Sequence, residues 1–285
     1  MRLAITGASG FVGRHVVAEL ARRGLEARLL QRPAFDLHAD PADAYERAGR
    51  PEVLLHLAWG GLPNYQSAHH YERERPAQYA FLRAMVRGGV AHVVVSGTCF
   101  EYGMQSGPLH EDLPCTPANA YGYAKDTLRR ELEFLKRETP FRLTWARLFY
   151  LWGDGQAAGS LWPLLQAAAR RGDAQFPMSG GEQLRDYLPV AQAASWLVDL
   201  ALQREGDGLV NVCAGRPVSV RALVEGWIAM SPGAAPTSRA NSARFCSTVI
   251  GTAPGLCNSV PTLKPACTAG RAPIVSYQLS IQIRF

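Results

Sequence analysis

The sequence predicts an α/β fold, a doubly wound parallel sheet followed by a smaller C-terminal substrate-binding region. Three observations predict it: a short apolar run that breaks into glycines and then a helix, buried-type apolar runs alternating with helical stretches, and a change of pattern near residue 151. The first strand is Leu3-Ala4-Ile5. After the glycines, Val12, Val16 and Leu20 recur at four-residue spacing, which lays one apolar stripe along a helix. Gly24 closes that helix, and Ala27 to Leu30 forms the next strand. Val53-Leu54-Leu55-His56-Leu57, His92-Val93-Val94-Val95 and Leu143-Thr144-Trp145-Ala146 continue the sheet, with helices expected around 76–88 and 119–138. Residues 1–150 thus make a dinucleotide-type sheet domain. Residues 151–230 carry helices at 161–171 and 190–203, a strand from Leu209 to Val212 and a helix from Ser219 to about Met230, and read as a cap over a substrate.

Residues 231–285 differ from both. They contain no acid, more than half of them are Ser, Thr, Pro, Gly or Ala, and they show no sustained period. Such a segment has little apolar surface with which to offset its ordering entropy. It is either a disordered or loosely docked extension or a replacement for the fold's usual ending. It also explains the charge. The net charge is +6, but Arg239, Arg244, Lys264, Arg271 and Arg284 all lie in this tail, and the remaining residues carry 25 basic against 24 acidic groups. A nearly neutral body argues against a nucleic-acid partner. No apolar run approaches the roughly 20 residues that span a bilayer, and the segment before the glycines is too short for a signal peptide. A cytoplasmic enzyme is expected. The six cysteines show no CxxC spacing, so they are expected to be reduced bystanders, and no metal site is expected.

Thr6-Gly7-Ala8-Ser9-Gly10-Phe11-Val12-Gly13 lies between the first strand and the first helix. Gly7 permits the tight turn, Gly10 a close approach of backbone to a pyrophosphate, and Gly13 close packing of helix on strand. The helix start adds unsatisfied N–H groups and partial positive charge. At the end of the second strand, where an NAD-specific site carries an acid for the ribose 2′-hydroxyl, stand Gln31 and Arg32. A guanidinium suits a 2′-phosphate, so NADP is the expected cofactor, with NAD as the other option.

Tyr121-Gly122-Tyr123-Ala124-Lys125 opens a helix, which puts Tyr121 and Lys125 on one face. An ammonium beside the phenol is expected to lower its pKa and poise it as acid or base. Ser96-Gly97-Thr98 follows the strand at 92–95 and brings a hydroxyl to the same sheet end. Thr98 is positioned to bond a substrate carbonyl oxygen while Tyr121 donates its proton.

With these pieces the sequence resembles the extended short-chain dehydrogenase/reductase family, a Rossmann-fold group that includes UDP-galactose 4-epimerase and sugar-nucleotide reductases. The resemblance covers about residues 1–228 and rests on Thr6 to Gly13, Asp36-Leu37, His56-Leu57-Ala58, Ser96 to Gly103, Pro117 to Lys125, Arg147-Leu148-Phe149 and Arg185-Asp186-Tyr187. It implies a catalytic set of Thr98, Tyr121 and Lys125. It further implies cofactor contacts from Gly7, Ser9, Gly10, Phe11, Val12, Gly13 and Arg32, with Asp36 and Leu37 bordering the adenine and Ala58 in the cofactor channel. Phe149, Tyr121 and Lys125 complete that set. Thr98 and Arg185 would contact a nucleotide-sugar substrate, Arg185 at its diphosphate, and the family's helix pairing implies a homodimer through the helix 119–138.

Departures from the family narrow the reaction. Its 4,6-dehydratases follow the threonine with Asp-Glu, whereas Cys99-Phe100 follow Thr98 here. Its epimerases keep a tightly held NAD, which Gln31-Arg32 fits poorly, and often carry Asn where Tyr150 stands. The segment Gly97 to Gly103 is most like reductases of NDP-4-keto-6-deoxy sugars. The expected activity is therefore NADPH-dependent reduction of such a sugar. A nucleotide-sugar 4-epimerase and a non-catalytic NADP-binding redox sensor are the alternatives, and the intact Thr98, Tyr121 and Lys125 argue against the sensor. His69-His70 and Cys99 are expected to be structural or superficial.

Overall fold

A computed structural model describes residues 1–206, 208–230 and, by backbone alone, 281–284. Along the chain run β1 (Leu3–Thr6), α1 (Phe11–Arg22), β2 (Arg28–Leu30), α2 (Ala44–Arg47), β3 (Val53–His56), α3 (Arg75–Gly88) and β4 (His92–Thr98). Then come α4 (Ala120–Glu138), β5 (Arg142–Leu148), β6 (Tyr150–Trp152), α5 (Leu161–Arg171), β7 (Gln175–Met178) and β8 (Leu184–Arg185). The chain continues with β9 (Tyr187–Pro189), α6 (Val190–Leu202), β10 (Gly208–Val212), β11 (Val218–Ser219), α7 (Val220–Met230) and β12 (Ile281–Arg284). A π turn at His70–Glu74 leads into α3, and a 3-10 turn at Cys99–Tyr102 follows β4.

The chain divides into two compact units, one of residues Met1–Gln156 with Tyr187–Ala214, the other of Ala157–Asp186 with Gly215 onward. The first unit is built on a six-stranded sheet of order β10-β5-β4-β3-β1-β2 whose pairs are all parallel. The chain starts at β1, winds outward to β2, then returns to β3 on the other side of β1. That reversal opens a crevice at the strands' carboxyl ends, where ligands of such sheets bind. Residues of β1, β3 and β4 are buried on both faces, as a sheet covered on both sides requires. Alternation divides them: Ala4, Leu54, Val93 and Val95 face the layer of α3 and α4, while Ile5, Leu55 and Val94 face α1 and α6.

Position along the sequence puts α6 and β10 with the cap, beyond residue 150. In the structure α6 packs against α1, and β10 pairs with β5 as the sheet's edge strand. The apolar content of α6, with Ala193, Ala194, Leu197 and Val198 all fully buried, is what an inner helix needs. The second unit holds two small antiparallel pairs, β11 with β8 and β12 with β7. Trp162 of α5 and Trp227 of α7 meet edge to face at 5.0 Å. Apart from the backbone of β12, the expectation for residues 231–285 lies outside the described residues.

The turn after β1 depends on missing side chains. Gly7 has φ +72, and a Cβ there would sit 2.7 Å from the backbone of Leu57 and Ala58. A Cβ on Gly13 would stand 2.0 Å from the Gly7 carbonyl oxygen, so α1 could not approach β1. Gly13→Ala should therefore destabilise the chain by about 3 kcal/mol, the upper range for overpacking. Gly159, with nothing within 4 Å of its would-be Cβ, should tolerate Ala within about 0.5 kcal/mol. Urea unfolding of both variants checks this, and equal stability of the two would mean that the turn is not tightly packed.

Candidate active site

The dinucleotide turn leaves α1 with an open start. Its N-cap is Gly10, which offers no capping side chain, and its first turn holds no acid. The leading N–H groups and the positive end of a 12-residue helix are thus directed at an anion. Ser9 and Gly10 are exposed at this edge, Phe11 and Val12 are half-buried, and Gly13 is buried. Thr6 joins the turn to β3: its Oγ1 accepts from Leu57 N at 3.2 Å and Ala58 N at 3.3 Å. With both acceptor positions taken, its hydroxyl proton goes to His56 Nδ1, 2.9 Å away. The turn and the Ala58 segment therefore share one anchor. These residues fit a dinucleotide pyrophosphate.

Thr98 ends β4 and starts the turn Cys99–Tyr102. Its Oγ1 accepts from Phe100 N at 3.3 Å, and the Glu101 carboxylate returns to accept from Thr98 N at 2.8 Å. This reciprocal cap fixes the hydroxyl and leaves its proton for a ligand. Glu101 is itself wholly buried and also accepts from Trp145 Nε1 at 2.9 Å and Arg147 Nε at 2.8 Å. Burial pushes its carboxyl up, against the Arg147 guanidinium, which pulls it down.

Tyr121 and Lys125 lie side by side on the first turns of α4. Asn119 caps this helix, accepting from Gly122 N at 2.7 Å. Gly122 lets the helix close on the turn, since a Cβ there would be 2.5 Å from the Phe100 carbonyl oxygen. Lys125 Nζ donates to the Ser96 carbonyl oxygen at 2.7 Å, which brings the helix and the β4 end together. Tyr121 N donates to the Tyr65 carbonyl oxygen at 3.0 Å, and the phenol ring is walled by Trp59, Tyr65, His70 and Phe100, with centroids 5.3 to 6.4 Å away. Both side chains are deeply buried. Burial lowers the Lys125 ammonium to about 7, and it raises the Tyr121 phenol above its ordinary range. The expectation of a lowered phenol is thus reversed in the chain by itself. Desolvation of the phenolate is the main cause, and the negative charge of Glu101 adds to it.

Of the remaining residues named from the sequence, Arg32 is exposed just beyond β2, and Asp36 accepts from His38 N at 3.0 Å, closing its own turn. Leu37 packs against the α3 side of the core, and Ala58 follows β3. Phe149 bridges β5 and β6, its N–H on the Val212 carbonyl oxygen at 3.1 Å and its ring 6.4 Å from Tyr102. Arg185 lies in the second unit on β8, where its guanidinium donates to the Leu184 carbonyl oxygen and to Gln183. Sequence reasoning missed Trp59, His70, Glu101 and Arg147. Arg147 and the segment containing Glu101 stood among the family-like motifs without a role. His70 is fully buried against Tyr121, and Cys115, expected to be a bystander, accepts from Arg147 at 2.9 Å.

His56, buried under this site, has a measurable consequence. Burial first, then the Lys125 charge, lower its pKa from an ordinary 6.5 to about 3. An unfolded histidine takes up a proton as pH falls below 6.5, whereas the folded one stays neutral until about 3. Its contribution to stability is therefore whole above pH 6.5 and is lost towards pH 3, with a slope approaching about 1.4 kcal/mol per pH unit. Denaturation at pH 7 and pH 5 should show that loss, and His56→Gln should reduce it. An unchanged slope in the variant would assign the acid sensitivity elsewhere.

Comparison with known proteins agrees with this geometry. The chain matches the NAD dependent epimerase/dehydratase family over residues 3–213. It is 32% identical to dTDP-6-deoxy-L-talose 4-dehydrogenase (NAD(+)) from Aggregatibacter actinomycetemcomitans, covering 80% of this chain and 90% of that protein. It is 27% identical to a UDP-glucose 4-epimerase from Azospirillum brasilense, covering 78% and 75% of the two chains. Among solved structures it is similar to RMD from Pseudomonas aeruginosa complexed with NADPH, with a TM-score of 0.67, 26% identity and coverage of 79% and 80%. With a match over most of its length and the same sheet architecture, the chain belongs to the NAD-dependent epimerase/dehydratase family.

Proposed function

We propose that this chain is an NADPH-dependent reductase of the C4 ketone in a nucleotide-activated 4-keto-6-deoxy sugar. The observation that carries the reading is Tyr121 and Lys125 buried together against the β4 end that presents Thr98. The glycine turn would hold a nicotinamide dinucleotide, which when bound would supply the hydride for C4. Tyr121 Oη gives its proton to the carbonyl oxygen, so that with the hydride the ketone becomes an alcohol. Thr98 Oγ1 donates to the same oxygen and orients it. Lys125 puts positive charge beside the phenol and eases its loss of the proton.

Glu101 argues against elimination. It is the one acid of the turn Cys99–Tyr102, and its oxygens are engaged by Thr98 N, Trp145 and Arg147, so it is not available to shuttle a substrate proton. The relative from Aggregatibacter is named as a 4-dehydrogenase of a dTDP-6-deoxy sugar, which is the same carbon and substrate class run in reverse. Gln31 and Arg32 support NADPH as the preferred dinucleotide, and the sugar and nucleotide remain those of the class. A 4-epimerase is the second reading, favoured by the Azospirillum relative and by a Tyr–Lys pair that serves both chemistries.

NADPH oxidation against a panel of NDP-4-keto-6-deoxy sugars tests the reading. Product should form in step with NADPH consumed, and Tyr121→Phe should cut turnover by about 10²–10⁴ while cofactor binding survives. Arg32→Ala should weaken NADPH by about 1–3 kcal/mol and spare NADH. Sugar interconversion on retained NAD, with no net cofactor use, would favour the epimerase instead.

A homodimer through α4 is also proposed. Ala124, Leu128, Leu132 and Leu135 are buried in the chain itself, so they do not form its surface. The outward face offers Tyr123, 52% exposed, and Phe134, 63% exposed, with Tyr71 packed on Tyr123. Tyr123→Asp with Phe134→Asp should convert a dimer to a monomer in analytical ultracentrifugation. A wild-type chain that is monomeric at all concentrations would remove the proposal.

A further inference from the structure

We propose that Trp59 is a positioning residue for Lys125: its indole face holds the buried ammonium beside Tyr121, and His70 locks the indole in place. The inference rests on reading Tyr121 and Lys125 as the catalytic pair. Lys125 is fully buried, and its ammonium carries three protons. One is donated to the Ser96 carbonyl oxygen at 2.7 Å. Among the described residues no carboxylate stands within ion-pair distance of Nζ. Glu101 is engaged by Arg147, and Glu74 by His38, His69, Gln78 and the Gly60 N–H. The contact on offer is the Trp59 ring, whose centroid lies 4.1 Å from Nζ, well inside the range in which an indole face attracts a cation. Tyr121's own ring is farther, at 5.9 Å.

The indole is held from four directions. Trp59 Nε1 donates to His70 Nδ1 at 3.1 Å. That fixes the His70 tautomer, because Nε2 must then carry the proton it shares with the Asn64 carbonyl oxygen at 2.8 Å. The imidazole lies edge to edge with the indole, centroids 6.3 Å and planes 30° apart, as that hydrogen bond requires. On the main chain, Gly60 N donates to Glu74 at 3.0 Å and Ala58 N to Thr6 at 3.3 Å, so the residues flanking Trp59 are both pinned. The same indole meets the Tyr121 ring edge to face at 5.8 Å. One side chain thus touches both members of the pair and fixes their mutual placement.

The ring also opposes the neutralisation that burial favours. The groups facing Lys125 are Tyr121 on its own helix, His56 at the end of β3, Glu74 of the π turn, Glu101 of the turn after β4, and Trp59 with His70 from the segment after β3. His56 stays neutral above about pH 3 and sets no charge against the ammonium, while Glu101 and Glu74 favour it from a distance. Removing the π face should release the ammonium from its aim and depress its pKa further.

The chain has only three lysines, Lys125, Lys136 and Lys264, so lysine labelled with ¹³C at Cε reports Lys125 directly by NMR in the intact protein, with Lys125→Met assigning the signal. The expected order of Lys125 pKa is wild type, then Trp59→Phe, then Trp59→Leu, with the last lower by about one unit. The high-pH limb of the turnover profile, where the ammonium is lost, should move in the same order. Trp59→Met supplies volume without a π face should the leucine variant fail to fold. A Lys125 titration that is the same with Trp59, Phe, Leu and Met overturns the inference. Failure of the parent reading would look different: Tyr121→Phe and Lys125→Met would retain turnover, whatever the lysine signal did.

Discussion

The buried pair of Glu101 and Arg147 organises the end of the sheet on which the site is built. Both side chains are nearly inaccessible, at 0% and 1% exposure, so each would be costly to desolvate alone. Their surroundings compensate by filling the remaining positions. Trp145 and Thr98 N donate to the carboxylate. The guanidinium donates to the Glu111 carbonyl oxygen and Cys115 and lies 4.4 Å over the Tyr102 ring. Tyr102 in turn donates to Asn211 on β10 at 2.8 Å. One network therefore joins β4, its following turn, β5 and β10. Satisfied in this way, a buried polar network rigidifies; with a member missing, it leaves an uncompensated charge. Thr98 can hold its hydroxyl in one orientation because its cap is part of that network.

The Lys125 environment follows a different logic. Instead of an ion pair, the ammonium receives a carbonyl oxygen and aromatic faces. A carboxylate at contact distance would hold the lysine firmly charged and would offer a competing partner to any ligand hydroxyl. An aromatic wall stabilises the charge weakly and non-competitively. It also keeps water out, which strengthens every electrostatic effect within the pocket. The penalty is visible in both pKa directions, a lysine pushed down and a tyrosine pushed up. Such tension between stability and placement is characteristic of functional sites.

Much of this was legible in the residues because its signals are local. The helix expected at 119–138 spans Ala120–Glu138, and that at 161–171 spans Leu161–Arg171, since each carries a complete 3.6-residue period and clear ends. Tyr121, Lys125 and the glycine turn are motifs within a few residues of chain. The short strands β6, β8, β9 and β11 have two or three residues each, too few to display alternation. α6 and β10 were recognised as elements but misplaced, because position along the chain does not tell that the chain returns to the sheet. Glu101 with Arg147 and Lys125 with Trp59 are pairings across long stretches of sequence, for which one sequence carries no periodic signal. His69 and His70 carry one expectation, structural or superficial, because burial under Tyr121, which distinguishes His70, leaves no mark in the sequence.

These two arrangements together constrain the chemistry more than either does alone. Loss or transfer of a carbon-bound proton needs a base with an accessible lone pair near neutral pH. Glu101 is the acid nearest in sequence to Thr98, yet its burial and its three donors commit it to structure. Glu74 is committed likewise, accepting from a backbone N–H, a glutamine and two histidines. Among the described residues, what remains for the proposed proton traffic at the Thr98 end of the sheet is a phenol backed by an ammonium. That combination serves a reaction in which an oxygen gains or loses a proton as a hydride moves, and it serves elimination poorly. Among the described residues, the tied-up carboxylates therefore favour the proposed redox chemistry at a carbonyl over elimination.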